Sequence, residues 1–469
     1  MFTNVRRLDR VALAVVLVAI GVTLLMVARG DRLGVQVVAV NPAPAGQDVS
    51  TRARIRVQFD QALAADPGFI ALEITPAVEG MGRPAGDSLV FTPDRGLAPN
   101  TLYTVTLPAG VRSQQGRRLQ EPVQWSFQTG LPRVVYLAAD SAGRDQLFAV
   151  PVDLANPVDL TAGAAPVQLS DVPFGVWDYA VSPDGVHVAY AARNADDTAD
   201  IWSVPAADPA TAGQALVCPQ AACTGVAWSP DGRYLAVGRR NATEFSSPMV
   251  SPPRLWLMDT QTGETAPVLA DSQQLGFDPR WSADGLWLSY ISPERGGVAI
   301  YQVEDGRAAF YPSITGEPAV WHPQRTELIL TEMTADGQDY AAHMIRIDPV
   351  TDERVNLSAG ETPVEDSSPA YSPDGEWIAF RRKELAGPGQ TPGKQLWRMR
   401  ADGAGAEALT ADPAFDHGQP LWSADGRFLL FHKLPLRGPD IALSVWVMDV
   451  DSGQQWKIAQ PGWRPAWAQ

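Results

Sequence analysis

Cysteine is nearly absent from this chain: Cys218 and Cys223 are the only two among 469 residues. Two thiols with no histidine beside them cannot build a tetrahedral zinc site. Their close spacing allows a small disulfide loop in an oxidising compartment, or two free thiols. Histidine is scarce too, and the five, at 187, 322, 343, 417 and 432, never pair at metal-ligand spacing. Positive charge is short: 37 lysines and arginines face 53 acidic residues, a net charge of −16. That deficit argues against a nucleic-acid surface, which needs clustered cations to neutralise phosphates, and against lying on anionic lipid. An acidic surface does keep a secreted body soluble.

Catalytic signatures are missing as well. No G-x-S-x-G nucleophile elbow occurs. The stretch Gly387 to Gln395 has the outline of a phosphate loop, but Pro388 stands where the first glycine belongs and Gln395 where Ser or Thr belongs. Asn194 to Asp200 is acidic yet lacks the glycine and closing glutamate of a calcium loop. The expectation is a protein without enzymatic chemistry, cofactor or metal.

What the chain has is turn and strand. Forty glycines and forty prolines are too many for long helices, and 45% apolar residues can fill a core. One apolar run breaks the pattern: Val11 to Ala28 is 18 residues without a charge. As a helix it would reach roughly 27 Å, close to the hydrocarbon thickness of a bilayer. Arg6, Arg7 and Arg10 precede it, and Arg29 and Arg32 follow. A small-residue cleavage site does not follow the run, so an uncleaved signal anchor is expected rather than a removed leader. Residues 1–10 then form a short cytoplasmic tail, 11–28 the single span, and everything after it lies outside the cell membrane.

Residues 35–131 alternate apolar and polar side chains in short runs: Ile55 to Phe59, Ser88 to Phe91, Tyr103 to Leu107, and Trp125 to Phe127. Period two with Pro- and Gly-rich punctuation predicts a small β-sandwich. Leu97 to Tyr103 has the form of a tyrosine corner. With Asn41-Pro42, Val57 to Asp60, Gly116, Leu119 and Phe127 to Thr129, the stretch resembles the bacterial Ig-like family of surface proteins. The resemblance implies a spacer or adhesion module.

From residue 133 the chain repeats. Trp228-Ser-Pro-Asp-Gly232 recurs from Val181, Trp281, Tyr371 and Trp422, with a degenerate copy at Trp321 to Arg325. The spacings are 47, 53, 40, 50 and 51 residues. Strand-rich repeats of this period are propeller blades. Two apolar strands follow each copy, for example Tyr234 to Ala236 and then Leu255-Trp256. The termini supply one more blade: Pro465 to Gln469 reads as an inner strand, and Val134 to Leu137 and Leu147-Phe148 as the strands after it. A seven-bladed ring over 133–469, closed by pairing of the two ends, is expected. The motif resembles the TolB-like, WD40-like propeller repeat of bacterial envelope proteins. TolB's own α/β amino-terminal domain is not present, so its particular role does not carry over. The fold class expected is all-β.

The Asp of each Ser-Pro-Asp-Gly reads as a turn residue, and the repeated aromatics as packing between blades. The residues just ahead of each inner strand border the channel on the face opposite those turns. They are Trp177, Asp178, Asp278, Glu317, Asp366, His417 and Arg464. Acid, base and aromatic groups in one ring suit a site with converging polar contacts. The expectation is a membrane-anchored envelope protein that binds a protein or glycan there. The rival is an enzyme, such as a glycan-cleaving one, that uses two carboxylates at the same mouth.

Overall fold

The computed structural model describes residues 34–468 apart from 65–71, 156–162, 242–252, 270, 272, 337–338, 359, 361–362 and 439–440. The expected span, 11–28, lies outside the described residues. Among the described residues no helix is long and apolar enough to cross a membrane. Their only helical element is the short 3-10 turn Pro209–Thr211, and the rest of the regular structure is strand. The chain divides into two compact units. Among the described residues, one takes in 34–47, 54–93 and 102–128, and the other takes in 48–53, 94–101 and 129–468.

The smaller unit holds two antiparallel sheets. The first orders Val37–Asn41, Ile55–Phe59, Ser88–Pro93 and Gly80–Ala85; the second orders Glu73–Thr75, Leu102–Leu107 and Val123–Gln128. The alternation in the sequence sets the inside face: Ile55, Val57 and Phe59 are buried while Arg56 and Gln58 are exposed. Val105, Leu107 and Phe127 complete this core, and the Tyr103 ring stacks on Phe127 at 5.7 Å.

The larger unit is a succession of antiparallel sheets with a common plan: inner strand, tight turn, second strand, third strand, short outer strand. One such sheet orders Phe277–Trp281, Trp287–Ser292, Gly297–Gln302 and Ala308–Pro312, and another orders Val364–Tyr371, Trp377–Glu384, Gln395–Arg400 and Glu407–Ala408. The sheet at the ends of the chain is composite. Trp463–Ala468 pairs antiparallel with Arg133–Ala139, which leads on to Asp145–Pro151 and Val167–Gln168. Each end of this unit thus covers a strand edge that the other would leave open.

The tetrapeptide turns show why their sequence repeats. Ser182 Oγ donates to Asp184 Oδ1 at 2.5 Å and accepts the amide of His187 at 2.9 Å, while Gly185 takes φ +76°. The same bonds recur at Ser229/Asp231, Ser282/Asp284, Ser372/Asp374 and Ser423/Asp425. The degenerate copy solves the problem differently. His322 Nδ1 accepts the amides of Gln324 and Arg325, both at 3.1 Å, so a ring nitrogen stands in for the hydroxyl and carboxylate.

The repeated tryptophans join one inner strand to the next. The indole N–H of Trp228 donates to the carbonyl of Ala180, Trp321 to Arg280, Trp422 to Ala370, and Trp467 to Leu421. Each donor satisfies a carbonyl of a neighbouring inner strand, so the aromatic is both packing and register pin.

Cys218 and Cys223 form a disulfide, and both are buried. The loop it closes is short, so the chain-entropy contribution is roughly 2 kcal/mol. Replacing both cysteines by serine is expected to lower the unfolding free energy by about that amount, read from urea midpoints at constant slope. Equal midpoints would show that the bridge adds nothing.

Candidate functional site

The inner strands of the larger unit are not regular. Their pairing slips between Val176 and Tyr179, Thr224 and Ala227, Phe277 and Arg280, Ser367 and Ala370, and Trp463 and Ala466. Four of these bulges carry a left-handed residue: Gly225 at φ +65°, Asp278 at +49°, Ser368 at +51° and Arg464 at +48°. Glycine adopts that backbone freely, whereas Asp, Ser and Arg hold it against steric strain. Bulges re-aim side chains and are enriched beside functional sites.

At two of these bulges the freed amide is met by an acid from elsewhere in the unit. Asp178 Oδ2 accepts the amide of Gly225 at 2.5 Å. Glu317 Oε2 accepts the amide of Ser368 at 2.9 Å and the hydroxyl of Thr331 at 2.7 Å, while Oε1 accepts the Ser368 hydroxyl at 3.1 Å. Glu317 is therefore fully engaged. Asp178 is less so: its side chain is buried, the Val226 amide also lies near the carboxylate, and Oδ1 has no hydrogen bond of good geometry among the described residues.

Asp178 sits in a charged cluster. Burial raises its pKa, and the Arg464 guanidinium opposes that rise. Asp278 adds a second negative charge nearby, with its Oδ1 beside Gly225. Arg280 completes the group; its burial lowers its pKa, against the pull of Asp278 and Asp178. Beside it lies a cavity of about 590 Å³ lined by Arg280, Glu317, Ser368 and the aromatic residues Trp281, Trp321, Tyr371, Trp422 and Trp467. The cavity can hold a ligand that accepts from Arg280 and packs against the surrounding aromatic rings.

The seven residues singled out in the sequence divide accordingly. Asp178, Asp278 and Arg464 come together around Arg280, and Glu317 lines the cavity that Arg280 also borders. The other three do not join them. Asp366 is wholly buried and bound bidentately by Arg382 at 2.7 Å on both oxygens, so it is spent on a pair within its own sheet. His417 is wholly buried, with Nδ1 3.2 Å from the carbonyl of Lys394 and its ring near Phe431. Trp177 is turned outward, beneath the Arg193 guanidinium at 5.1 Å. The period-two alternation explains these separations, because the inner-strand bulges shift which residues face the channel.

Sequence reasoning missed Arg280 and Ser368, yet a signal was there. The residue just before the leading aromatic is Ala227, Val320, Ala370, Leu421 or Ala466 in the other copies, and only Arg280 is charged. Ser368 occupies the X-Pro register, three residues before the leading aromatic, that also holds Asp278, Gln419 and Arg464; Glu317 stands one residue further back.

Comparison with known proteins bears on the smaller unit first. A family model described as "Bacterial Ig-like domain" matches residues 31–129. Residues 31–129 are a bacterial Ig-like domain. The remainder of the chain resembles propeller proteins of the TolB kind. An uncharacterised peptidase, YuxL, of Bacillus subtilis is 26% identical over 210 residues, which is 44% of this chain and 28% of that protein. The uncharacterised protein Atu1656 of Agrobacterium fabrum is 27% identical over 264 residues, 51% of this chain and 80% of that one. This chain thus spans under a third of the first relative and most of the second. A solved structure of a putative TolB from Agrobacterium tumefaciens shares 19% identity at a TM-score of 0.37, covering 64% of this chain and 86% of that one.

Proposed function

We propose that the protein is a non-enzymatic envelope protein, anchored by residues 11–28, whose body outside the cell membrane is a seven-bladed propeller that captures a partner at its channel mouth. The carrying observation is Asp178, a buried carboxylate with one oxygen lacking a hydrogen bond of good geometry among the described residues, set among Asp278, Arg280 and Arg464 on strained bulges. An unpaired buried acceptor costs about 1–3 kcal/mol, and a ligand donor would recover it. The Cys218–Cys223 disulfide supports an oxidising location, as does the bacterial Ig-like domain ahead of the body. The seventh blade of this reading is the composite sheet at the chain ends. The partner is a protein or glycan of the envelope.

The test uses immobilised full-length protein and labelled envelope extract. Asp178→Lys with Asp278→Lys, with an unchanged circular dichroism spectrum, is expected to abolish capture of every species the wild type retains specifically. Undiminished capture would overturn the placement at the mouth. The likeness to a protein named as a peptidase keeps an enzyme reading open to the same material. Release of cleaved peptide or glycan by the wild type, lost in Asp178→Asn, would replace capture by catalysis.

A further inference from the structure

The third strand of several sheets carries a tryptophan at one register, and its surroundings differ in a telling way. Trp256 stands opposite Val237, and Arg239, two residues further along, lies over its ring at 4.8 Å. Trp397 stands opposite Phe380, with Arg382 at 4.9 Å. Trp446 stands opposite Phe431, with Lys433 at 4.2 Å. In three sheets the protein thus supplies its own cation to the indole face. Trp202 stands opposite Tyr190 at the same register, but the residue two further along is Ala192. None of the described lysines or arginines stacks on Trp202.

A cavity borders this uncovered indole and the Tyr190 ring. It measures about 930 Å³ and is lined by Trp202, Tyr190, Phe148, Gln168, Asp140 and Asp171 among others. Neither the Tyr190 hydroxyl nor the Trp202 indole N–H bonds to a described residue. The rim is negative on balance. Arg144 neutralises Asp140 at 2.7 Å, and Asp171, 4.0 Å from the same guanidinium, is 87% exposed.

We propose that this cavity binds an organic cation, a guanidinium or ammonium group, seated on Trp202 in the place that Arg239, Arg382 and Lys433 fill elsewhere. Three points support one conclusion. The register is a cation seat wherever a basic residue occupies it. The indole quadrupole attracts a cation to its face, and burial strengthens that attraction. The carboxylate of Asp171 and the phenol of Tyr190 are placed to accept the N–H groups that a stacked cation turns outward. The site is separate from the channel mouth and does not depend on the function proposed there.

The experiment is calorimetric titration of the full-length protein with L-arginine amide, with citrulline amide as the uncharged isostere. Arginine amide is expected to bind at millimolar concentration or below, and citrulline amide at least tenfold more weakly. An end-blocked Ala-Arg-Ala peptide in a parallel titration assigns the source: tighter binding than arginine amide identifies a side chain of a peptide partner, and weaker binding a free small cation. Ala192→Arg supplies the missing cation from within, and is expected to abolish binding while leaving the melting temperature unchanged or higher. If that variant fails to fold, Trp202→Leu keeps apolar bulk without the π face and is expected to weaken binding at least tenfold. Equal binding of citrulline amide, no heat with arginine amide, or full binding by a folded Ala192→Arg or Trp202→Leu protein would overturn the proposal.

Discussion

A chain shortened to end at Gln460 is expected to lose the cooperative unfolding transition of its larger unit. The missing strand, Trp463–Ala468, is the hydrogen-bonded neighbour of Arg133–Ala139. Without it, one edge of that sheet stands open to water and to other chains. The Trp467 side chain goes too. It is buried against Val134, Val150, Phe428 and Val447, and its indole holds the carbonyl of Leu421. Loss of one such aromatic costs about 3–5 kcal/mol, against a total stability of about 5–15 kcal/mol for a whole domain. The buried Tyr179 hydroxyl, which donates to the carbonyls of Arg464 and Val135, loses one acceptor as well. Scanning calorimetry and limited proteolysis should show early digestion of the body and no sharp heat-absorption peak from it. A cooperative melt at the full-length temperature would show that the terminal strand is dispensable.

The composite sheet was legible in the sequence because its halves keep the repeat grammar: an aromatic-led inner strand at one end, and apolar second and third strands at the other. The Ser-Pro-Asp-Gly turns were legible for the same reason, since each residue does one local job that chemistry dictates. The smaller unit was half legible. Ile55–Phe59 and Leu102–Leu107 alternate, whereas Gly80–Ala85, GMGRPA, is exposed throughout and joins its sheet by backbone bonds alone. No side-chain pattern marks such an edge. The site was harder. Asp178, Asp278 and Arg464 were placed by counting back from the turn, and that count works only where a bulge keeps them on the channel. Asp366 shares its strand with Ser368, yet pairing with Arg382 on the next strand holds it within the sheet. Which acid pairs and which stays unpartnered depends on a partner distant in sequence, and no local pattern carries that.

Acid is expected to destabilise the larger unit through its buried histidines, chiefly His322 and His417. His322 is almost wholly buried and spends Nδ1 on two amides, so a proton there would set donor against donor. Burial first, and then Arg325, hold its pKa down to about 4. His417 is wholly buried, and burial with Lys433 holds it down to about 4. In the unfolded chain each would titrate at about 6.5. As pH falls below 6.5 the unfolded state takes up protons that the folded state refuses, so stability drops. The loss begins below about pH 6.5 and is complete only below the folded value near 4. Each ring contributes roughly 3 kcal/mol over that window, on the order of 6 kcal/mol together. Asp178 and Glu332 act the other way, because burial raises their pKa and lets the folded state bind a proton first, while His432, whose pKa burial lowers, adds to the loss. Urea midpoints measured from about pH 7 to about pH 4 should therefore fall steeply. His322→Asn offers a side-chain carbonyl to the same two amides and cannot charge, so it should reduce the slope measurably. A midpoint that stays level over that range in the wild type would mean that neither ring is shielded as its surroundings imply.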